Sequence, residues 1–266
     1  MILEQWIDGL RCVNLNTIAI ATRRPASLRD YISHCAKKYD ELLGNGLPAR
    51  SPIPPPTRDL IITLPAAHSG GGMSFSEMVV LARATKVLKP STIFEIGTFN
   101  GQTTAIFILN SEPSTKVFTL DLPDDSTSGQ DYISSDARLV AARELGSVPR
   151  ALGLNHYRQI CCDSMLFDPS EFLDSIGLCL VDGAHDFAHV KNDTVKVASM
   201  VSDEGTVFWH DYGGKGAMRP LTKYLNSLRV HAQIFRVPDT SLAWARGHEL
   251  KRAIGQMENS NRKPSG

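Results

Sequence analysis

The chain has 266 residues, 42% of them hydrophobic and 21% charged, which is typical of a globular protein large enough to bury a sizeable core. Lys plus Arg and Asp plus Glu both number 28, so no overall basic field indicates a nucleic-acid partner. No apolar run reaches the roughly 18 residues of a transmembrane helix, and the N-terminus lacks the basic start of a secretion signal, so a cytoplasmic protein without membrane contacts is expected.

Residues 1–57 are predicted to form an arm or cap in front of the main domain. A helix is expected around residues 27–43, and the five prolines between Pro48 and Pro56 predict an extended, polyproline-type linker. Because such an arm could reach a neighbouring subunit, a homo-oligomer stays open. Residues 247–266 are polar and are expected to fray as a tail.

The main domain, residues 58–246, alternates helices and strands. Ser74 and Glu77 form an S-x-x-E capping box that opens a helix through about Leu88. Strands are predicted, in chain order, at residues 92–96, 116–122, 156–162, 178–182, 206–211, 232–237 and 241–246. Intervening helices are predicted at residues 102–109, 132–145, 185–200 and 218–228. This order predicts an α/β fold, a Rossmann-like, doubly wound, mainly parallel seven-stranded sheet, and the short PDT link predicts a C-terminal antiparallel hairpin that places one antiparallel strand at the sheet's end.

A glycine turn follows the first predicted strand, where Glu95, Gly97 and Gly101 form an E-x-G-x-x-x-G pattern. Glycine permits close approach to the backbone, and the next helix offers free N–H groups to a polar ligand. Asp121, 20 residues beyond Gly101, suits the two hydroxyls of a ribose. A dinucleotide pattern would need glycine where Phe99 stands, and Glu95 would repel phosphates. Both residues favour S-adenosylmethionine over a dinucleotide.

Polar residues also follow the other predicted parallel strands. They are Asp121, Asp163 with Ser164, Asp182, and His210 with Asp211. Any single acid could instead cap a helix or turn. Since the carboxyl ends of parallel strands meet at one edge of the sheet, the set together predicts a cofactor cleft there.

Five segments carry a resemblance to a known family: EIGTFNGQTT, VFTLDLP, CCDSMLFD, LCLVDGAHDFAHVKNDT and GTVFWHDYG. Together they resemble the class I S-adenosylmethionine-dependent methyltransferases, and more narrowly the bacterial small-molecule branch with the macrocin-type sugar O-methyltransferases. The resemblance covers roughly residues 70–246 and implies O-methylation of a small-molecule hydroxyl, on a sugar or another natural product.

The same resemblance implies roles for individual residues. The methionine part of the cofactor would be lined by Glu95, Gly97, Thr98 and Gly101. The ribose would be held by Asp121, the adenine approached by Asp163 and Ser164, and the reacting methyl flanked by Asp182.

The resemblance also implies a metal set, Asp182, His210 and Asp211. Metal-dependent members carry two acidic or amide residues where this chain has His210 and Asp211. Mg²⁺ prefers oxygen ligands, whereas imidazole favours zinc, iron, nickel or copper, so the metal and its identity stay open. His210 could instead orient Asp211 or the substrate. His185, at the start of the helix after Asp182, is the predicted general base, with a hydrogen-bonding role at the helix terminus as the alternative.

Two other function classes stay open at this point. One is an NAD(P)-dependent oxidoreductase on a similar sheet, and the other is a non-catalytic module that binds S-adenosylmethionine or a protein. Five cysteines at irregular spacing disfavour a disulfide framework, and the adjacent Cys161 and Cys162 are interpreted as buried structural thiols. The predicted partner is a small-molecule methyl acceptor, whose identity the sequence leaves open.

Overall fold

The computed structural model describes residues 46–54, 60–65, 72–123, 143–214 and 218–262. The chain divides into two compact units, residues 1–47 and residues 48–266. Nearly all of the first unit, including the helix predicted around residues 27–43, lies outside the described residues, and so does most of the helix predicted at residues 132–145.

The second unit contains seven strands and, in its described part, six α-helices. The strands are β1 (Thr92–Ile96), β2 (Lys116–Asp121), β3 (Arg158–Cys161), β4 (Ile176–Val181), β5 (Val201–Trp209), β6 (Ile234–Arg236) and β7 (Ala243–Arg246). The helices are α1 (Phe75–Leu88), α2 (Gln102–Asn110), α3 (Ser147–Ala151), α4 (Phe187–Met200), α5 (Arg219–Leu228) and α6 (Gly247–Arg262). None of the helices in the described ranges is long and apolar enough to cross a bilayer.

The strands form one sheet in the order β3-β2-β1-β4-β5-β7-β6. Strands β1 to β5 pair in parallel, and β7 runs antiparallel to both β5 and β6. The predicted Rossmann-like, mainly parallel seven-stranded sheet with its C-terminal hairpin is therefore confirmed. The antiparallel strand lies one position in from the edge, because the hairpin folds back and inserts β7 between β5 and β6.

The register of the central strands brings their carboxyl ends to one level. Ile96 of β1 lies opposite Leu120 of β2 and Val181 of β4. The residues that follow these three positions, Gly97, Asp121 and Asp182, consequently leave the sheet side by side. Central parallel strands are covered on both faces, which explains why their sequences are continuous apolar runs without alternation.

The structure confirms one local prediction about α1 and adds an aromatic cluster in the core. Ser74 Oγ accepts the Glu77 N–H at 3.4 Å, and Glu77 Oε2 accepts the Ser74 N–H at 2.8 Å, so the predicted capping box is confirmed. Below β1 and β2, the ring of Phe172 lies 4.9 Å from the ring centres of Phe94 and Phe118. Phe167 packs on the same cluster and is buried.

The C-terminal segment differs from its prediction. The expected fraying tail is wrong for residues 247–262, which form α6. Its average composition is polar, but Leu250, Ala253 and Ile254 are buried at the i, i+3, i+4 spacing of one helical face. At the other end, residues 48–54 belong to the second unit, where the Trp244 indole donates to the Arg50 carbonyl at 2.8 Å.

Candidate functional site

A cavity of about 350 Å³ opens at the carboxyl edge of the parallel strands. Its wall contains five of the residues predicted to bind cofactor: Gly97, Thr98, Asp121, Asp163 and Ser164. The same wall contains the predicted reaction residues Asp182, His185, His210 and Asp211. Parallel pairing with matched register is the reason that residues so far apart in sequence share one cavity.

At Gly97, the end of β1 lies directly against the end of β4. Its φ is +96°, in a region that favours glycine, and a Cβ there would lie 2.0 Å from the carbonyl oxygen of Asp182. The Asp182 N–H donates to the Ile96 carbonyl at 2.8 Å, which holds the two strand ends together. Glycine at this position therefore lets the ends of β1 and β4 meet beneath the cavity.

Gly101 is absent from the cavity wall, contrary to its predicted contact with the methionine part of the cofactor. It precedes α2 in a left-handed conformation, with φ +81°. A Cβ there would lie 2.6 Å from Cδ of Pro149 and 3.1 Å from Cα of Gly146. The glycine is required because the start of α3 packs directly against the start of α2.

Glu95 was also predicted to line the cofactor, but the structure buries it completely below the cavity. Its Oε2 accepts hydrogen bonds from the hydroxyls of Thr104 at 2.5 Å and Thr119 at 2.8 Å. Within the described part of the chain, its Oε1 has no hydrogen-bond partner. Burial raises the pKa of Glu95 to about 8, partly opposed by the two threonine hydroxyls. A neutral Glu95 at pH 7 does not repel phosphates as a full charge would, so the sequence argument against a dinucleotide rests on Phe99.

The Glu95→Gln variant is expected to remove a pH-dependent loss of stability. The unfolded chain releases this proton near pH 4.5 and the folded protein near pH 8, so the stability contributed by protonated Glu95 is complete below pH 4.5 and is lost as the pH rises through 8. Gln retains an oxygen for both threonine hydroxyls but does not ionise. From about pH 5 to about pH 8, the free energy of unfolding of the variant should therefore rise relative to wild type, by at most about 1.4 kcal/mol per pH unit.

Urea unfolding of both proteins at the two pH values measures this difference. An offset that stays constant across the range would contradict a neutral, buried Glu95.

Asp121 is held rigidly at the end of β2. Its Oδ2 accepts the Phe99 N–H at 2.7 Å, and its Oδ1 accepts the Leu122 N–H at 2.7 Å. Burial raises the pKa of Asp121, although Arg143, whose Nη1 donates to Oδ1 at 2.8 Å, counteracts part of that effect. Phe99 reaches the carboxylate from a left-handed conformation with φ +50°. Sequence reasoning missed Arg143, because no motif surrounds it and it lies 22 residues from Asp121.

The cavity wall brings together Asp182, His185 and Asp211. One donor atom from each residue lies within 4.8 Å of the others, and His185 Nε2 lies 3.0 Å from Asp211 Oδ2. Asp211 has φ +63°, a left-handed conformation that costs a non-glycine residue about 1–2 kcal/mol. The following Tyr212 N–H donates to the Ser241 carbonyl at 2.8 Å, which helps to hold that conformation.

His210, predicted as a metal ligand and catalytic residue or as a residue that orients Asp211, contacts carboxylates through both ring nitrogens. Nδ1 lies 3.0 Å from Asp182 Oδ1, and Nε2 lies 3.4 Å from Glu77 Oε2. Burial would lower the pKa of His210, but the charge of Asp182 and the surrounding carboxylates raise it well above 6.5. Nδ1 also lies 3.5 Å from Asp211 Oδ2, so His210 is placed to orient both Asp182 and Asp211. The three-residue cluster contains His185 in its place.

The contacts of His210 also account for the lowered pKa values of two neighbouring carboxylates, those of Asp211 and Glu77. Burial would raise the pKa of Asp211, but hydrogen bonds from His185 and His210 lower it below its ordinary value. Burial likewise opposes ionisation of Glu77, whose pKa His210 and Ser241 nevertheless lower. Glu77 was interpreted only as a helix cap, and its contact with His210, 133 residues away, has no sequence signal.

His185 and His189 lie on either side of the start of α4. Asp186 caps the helix by accepting the N–H groups of Ala188 and His189. The His189 ring lies in the cavity wall with Nδ1 2.5 Å from Asp186 Oδ2, outside the three-residue cluster. The prediction of buried thiols is wrong for Cys161, which is exposed, while the half-buried Cys162 lines the cavity.

Part of the chain is similar to a known protein family. Residues 94–212, which run from β1 to just past β5, match a family model described as a methyltransferase domain. Among curated proteins, none matches the sequence significantly.

Solved structures of similar fold include three methyltransferases. A methyltransferase of Podospora anserina with S-adenosylhomocysteine bound is 14% identical over 65% of this chain and 78% of its own, with a TM-score of 0.49. The O-methyltransferase TomG of Streptomyces achromogenes is 14% identical over 66% and 81%, with a TM-score of 0.45. An O-methyltransferase of Bacillus cereus is 11% identical over 66% and 82%, with a TM-score of 0.47.

Proposed function

We propose that this chain, a class I S-adenosylmethionine-dependent methyltransferase, transfers the cofactor's methyl group to a hydroxyl oxygen of a small molecule. The observation that carries the proposal is the cluster of Asp182, His185 and Asp211 in the cavity wall. Gly97, Asp121 and Asp163 line the same cavity. The match of residues 94–212 to a methyltransferase domain supports this function over the oxidoreductase and the non-catalytic binding module.

The transfer itself requires alignment and a deprotonated acceptor. The sulfonium methyl is already electrophilic: its carbon bonds to the acceptor oxygen, and the C–S electron pair stays on sulfur to give S-adenosylhomocysteine. His185 is suited to take the hydroxyl proton, because Asp211 at 3.0 Å orients its ring and stabilises the resulting imidazolium. His210 donates to Asp182 and so fixes that carboxylate at the reacting end.

The same three side chains fit a divalent metal ion. Two carboxylates and one imidazole are a common donor set, and the contact of His210 with Asp182 orients a ligand as an outer hydrogen bond would. A bound ion would lower the pKa of a coordinated hydroxyl. Asp182, His185 and Asp211 would hold it, and the carboxylates favour Mg²⁺ or Mn²⁺ while the imidazole favours zinc or iron. The sugar or natural-product acceptor and the macrocin-type branch remain part of the proposal, supported by the sequence motifs.

Incubation with S-adenosylmethionine and a panel of glycosides, phenols and amines tests the proposal. Mass spectrometry should detect a 14-Da gain on a hydroxyl-bearing acceptor, since one hydrogen is replaced by a methyl group. If the metal assists, a chelator should reduce the rate by about tenfold or more, and one divalent ion should restore it. Methylation confined to amines, at a rate the chelator leaves unchanged, would contradict both the hydroxyl acceptor and the metal.

A further inference from the structure

Helix α4 contacts the loop that was predicted to approach the cofactor's adenine. Lys196 Nζ lies 2.6 Å from the Ser164 carbonyl oxygen and 2.9 Å from that of Met165. Asn192 Nδ2 donates to the same Ser164 carbonyl at 3.0 Å. Lys196 and Asn192 are four residues apart, so they share one face of the helix. Two adjacent carbonyls of the loop are therefore bound to one helical face.

This pairing sets which groups of the loop turn toward the helix and which line the cavity. The carbonyls of Ser164 and Met165 accept from the helix, while Asp163 and Ser164 contribute to the cavity wall. The Met165 N–H donates back to Asp163 Oδ1 at 2.8 Å, which fixes the carboxylate. Downstream, the buried ring of Phe167 anchors the chain in the core.

The helix also packs a buried acid against this loop. Asp193 is 1% exposed, and its Oδ1 accepts from Asn192 Nδ2 at 2.9 Å. Its Oδ2 lies 3.4 Å from where a Cβ on Gly183, a cavity residue, would stand. Asn192 therefore joins the loop carbonyl to a carboxylate behind the cavity wall, and a change at either residue is transmitted to the loop.

We infer that Lys196 and Asn192 are positioning residues that hold the 163–165 loop so that the cofactor site selects adenine over 6-oxopurines. The inference rests on the proposed placement of the adenine beside Asp163. A carboxylate accepts a hydrogen bond from the 6-amino group of adenine, whereas a 6-oxo group presents it with a second acceptor. The loop is also held by the N–H groups of Leu166 and Phe167, which donate to the Asp163 carbonyl. Since Lys196 and Asn192 bind the two carbonyls that follow, loss of those donors should loosen the carboxylate and weaken the discrimination.

Calorimetric titration of the full chain with S-adenosylhomocysteine and with S-inosylhomocysteine, without acceptor, tests this. Wild type should bind the adenine compound more tightly by about tenfold or more. Lys196→Met should weaken S-adenosylhomocysteine binding about tenfold and bring the ratio of the two dissociation constants close to one. Lys196→Arg, which keeps a cationic donor, should retain most of the preference. Lys191→Met, on an exposed position of the same helix, is the matched control and should behave as wild type.

The ratio of the two dissociation constants distinguishes a role in positioning the 163–165 loop from a general loss of structure. If Lys196→Met weakens both ligands equally, or matches Lys191→Met, the inference is overturned. Should Lys196→Met fail to fold, Asn192→Ala carries the same test, with a smaller expected fall in the ratio. Because no acceptor is present, the outcome does not depend on the proposed hydroxyl transfer, and a failure of either hypothesis leaves the other testable.

Discussion

Replacing Gly97 with alanine is expected to abolish cofactor binding and to destabilise the domain by about 4 kcal/mol or more. The added Cβ would lie 2.0 Å from the Asp182 carbonyl oxygen, far inside van der Waals contact, in a backbone conformation of φ +96°. Relief of this clash must separate the ends of β1 and β4, which are joined by the hydrogen bond from the Asp182 N–H to the Ile96 carbonyl. Urea unfolding and titration with S-adenosylhomocysteine measure the two effects.

Gly153→Ala is the control that isolates the clash. Gly153 also has a positive φ, +68°, but a Cβ there would have no neighbour within 4 Å. It should cost only the strain of a left-handed alanine, about 1–2 kcal/mol, and leave cofactor affinity unchanged. Equal losses of stability in the two variants would show that backbone strain, and not the approach of Asp182, explains the need for glycine at position 97.

Asp182→Asn is expected to reduce kcat by about 100-fold or more, with a much smaller change in the affinity for S-adenosylmethionine. Asn has nearly the same shape and can still accept the hydrogen bond from His210, which lies 3.0 Å from Asp182 Oδ1. The substitution removes one negative charge beside His185 and Asp211. Both metal binding and deprotonation of the acceptor would depend on that charge. Steady-state rates with an identified acceptor, together with calorimetric binding of the cofactor, separate the two parameters.

Asp186→Asn is the matched control for this variant. Asp186 lies four residues away at the start of α4, outside the cluster, and Asn is an equally good helix cap, so kcat should change little. Full activity of Asp182→Asn would contradict the assigned chemistry. A parallel loss in both variants would indicate that the loop, rather than the cluster, is what the substitution disturbs.

Much of this architecture could be predicted because it depends on patterns of residues that are close together in the sequence. The capping box at Ser74 and Glu77 and the apolar runs of β1 and β4 are local signals, and they predicted elements that the structure contains. The C-terminal helix was missed because an average over a polar segment conceals a narrow apolar stripe, here Leu250 with Ala253.

The site differs from its prediction for another reason, because the sequence does not specify the direction in which a side chain points. A strand position specifies neither which neighbour covers a side chain nor how deeply it is buried. Glu95 lies below the cavity because Thr104 and Thr119 bind its carboxylate there. Similarly, His210 Nε2 faces Glu77 of α1, a contact that no strand position specifies.

By itself, the sequence determined the order of strands and helices and the set of polar residues that leaves the parallel strands at one edge. The order of elements follows from the periodicity of apolar residues, which is a local property of the chain. The shared edge follows from the geometry of parallel pairing, which brings the carboxyl ends of the strands together. Only the tertiary structure decided that His185 joins Asp182 and Asp211 in one cluster, and that His210, which contacts both carboxylates, also faces Glu77. That choice depends on contacts between residues up to 133 positions apart. Such contacts form only when α1, β4 and β5 pack together, and no local pattern in the chain encodes them.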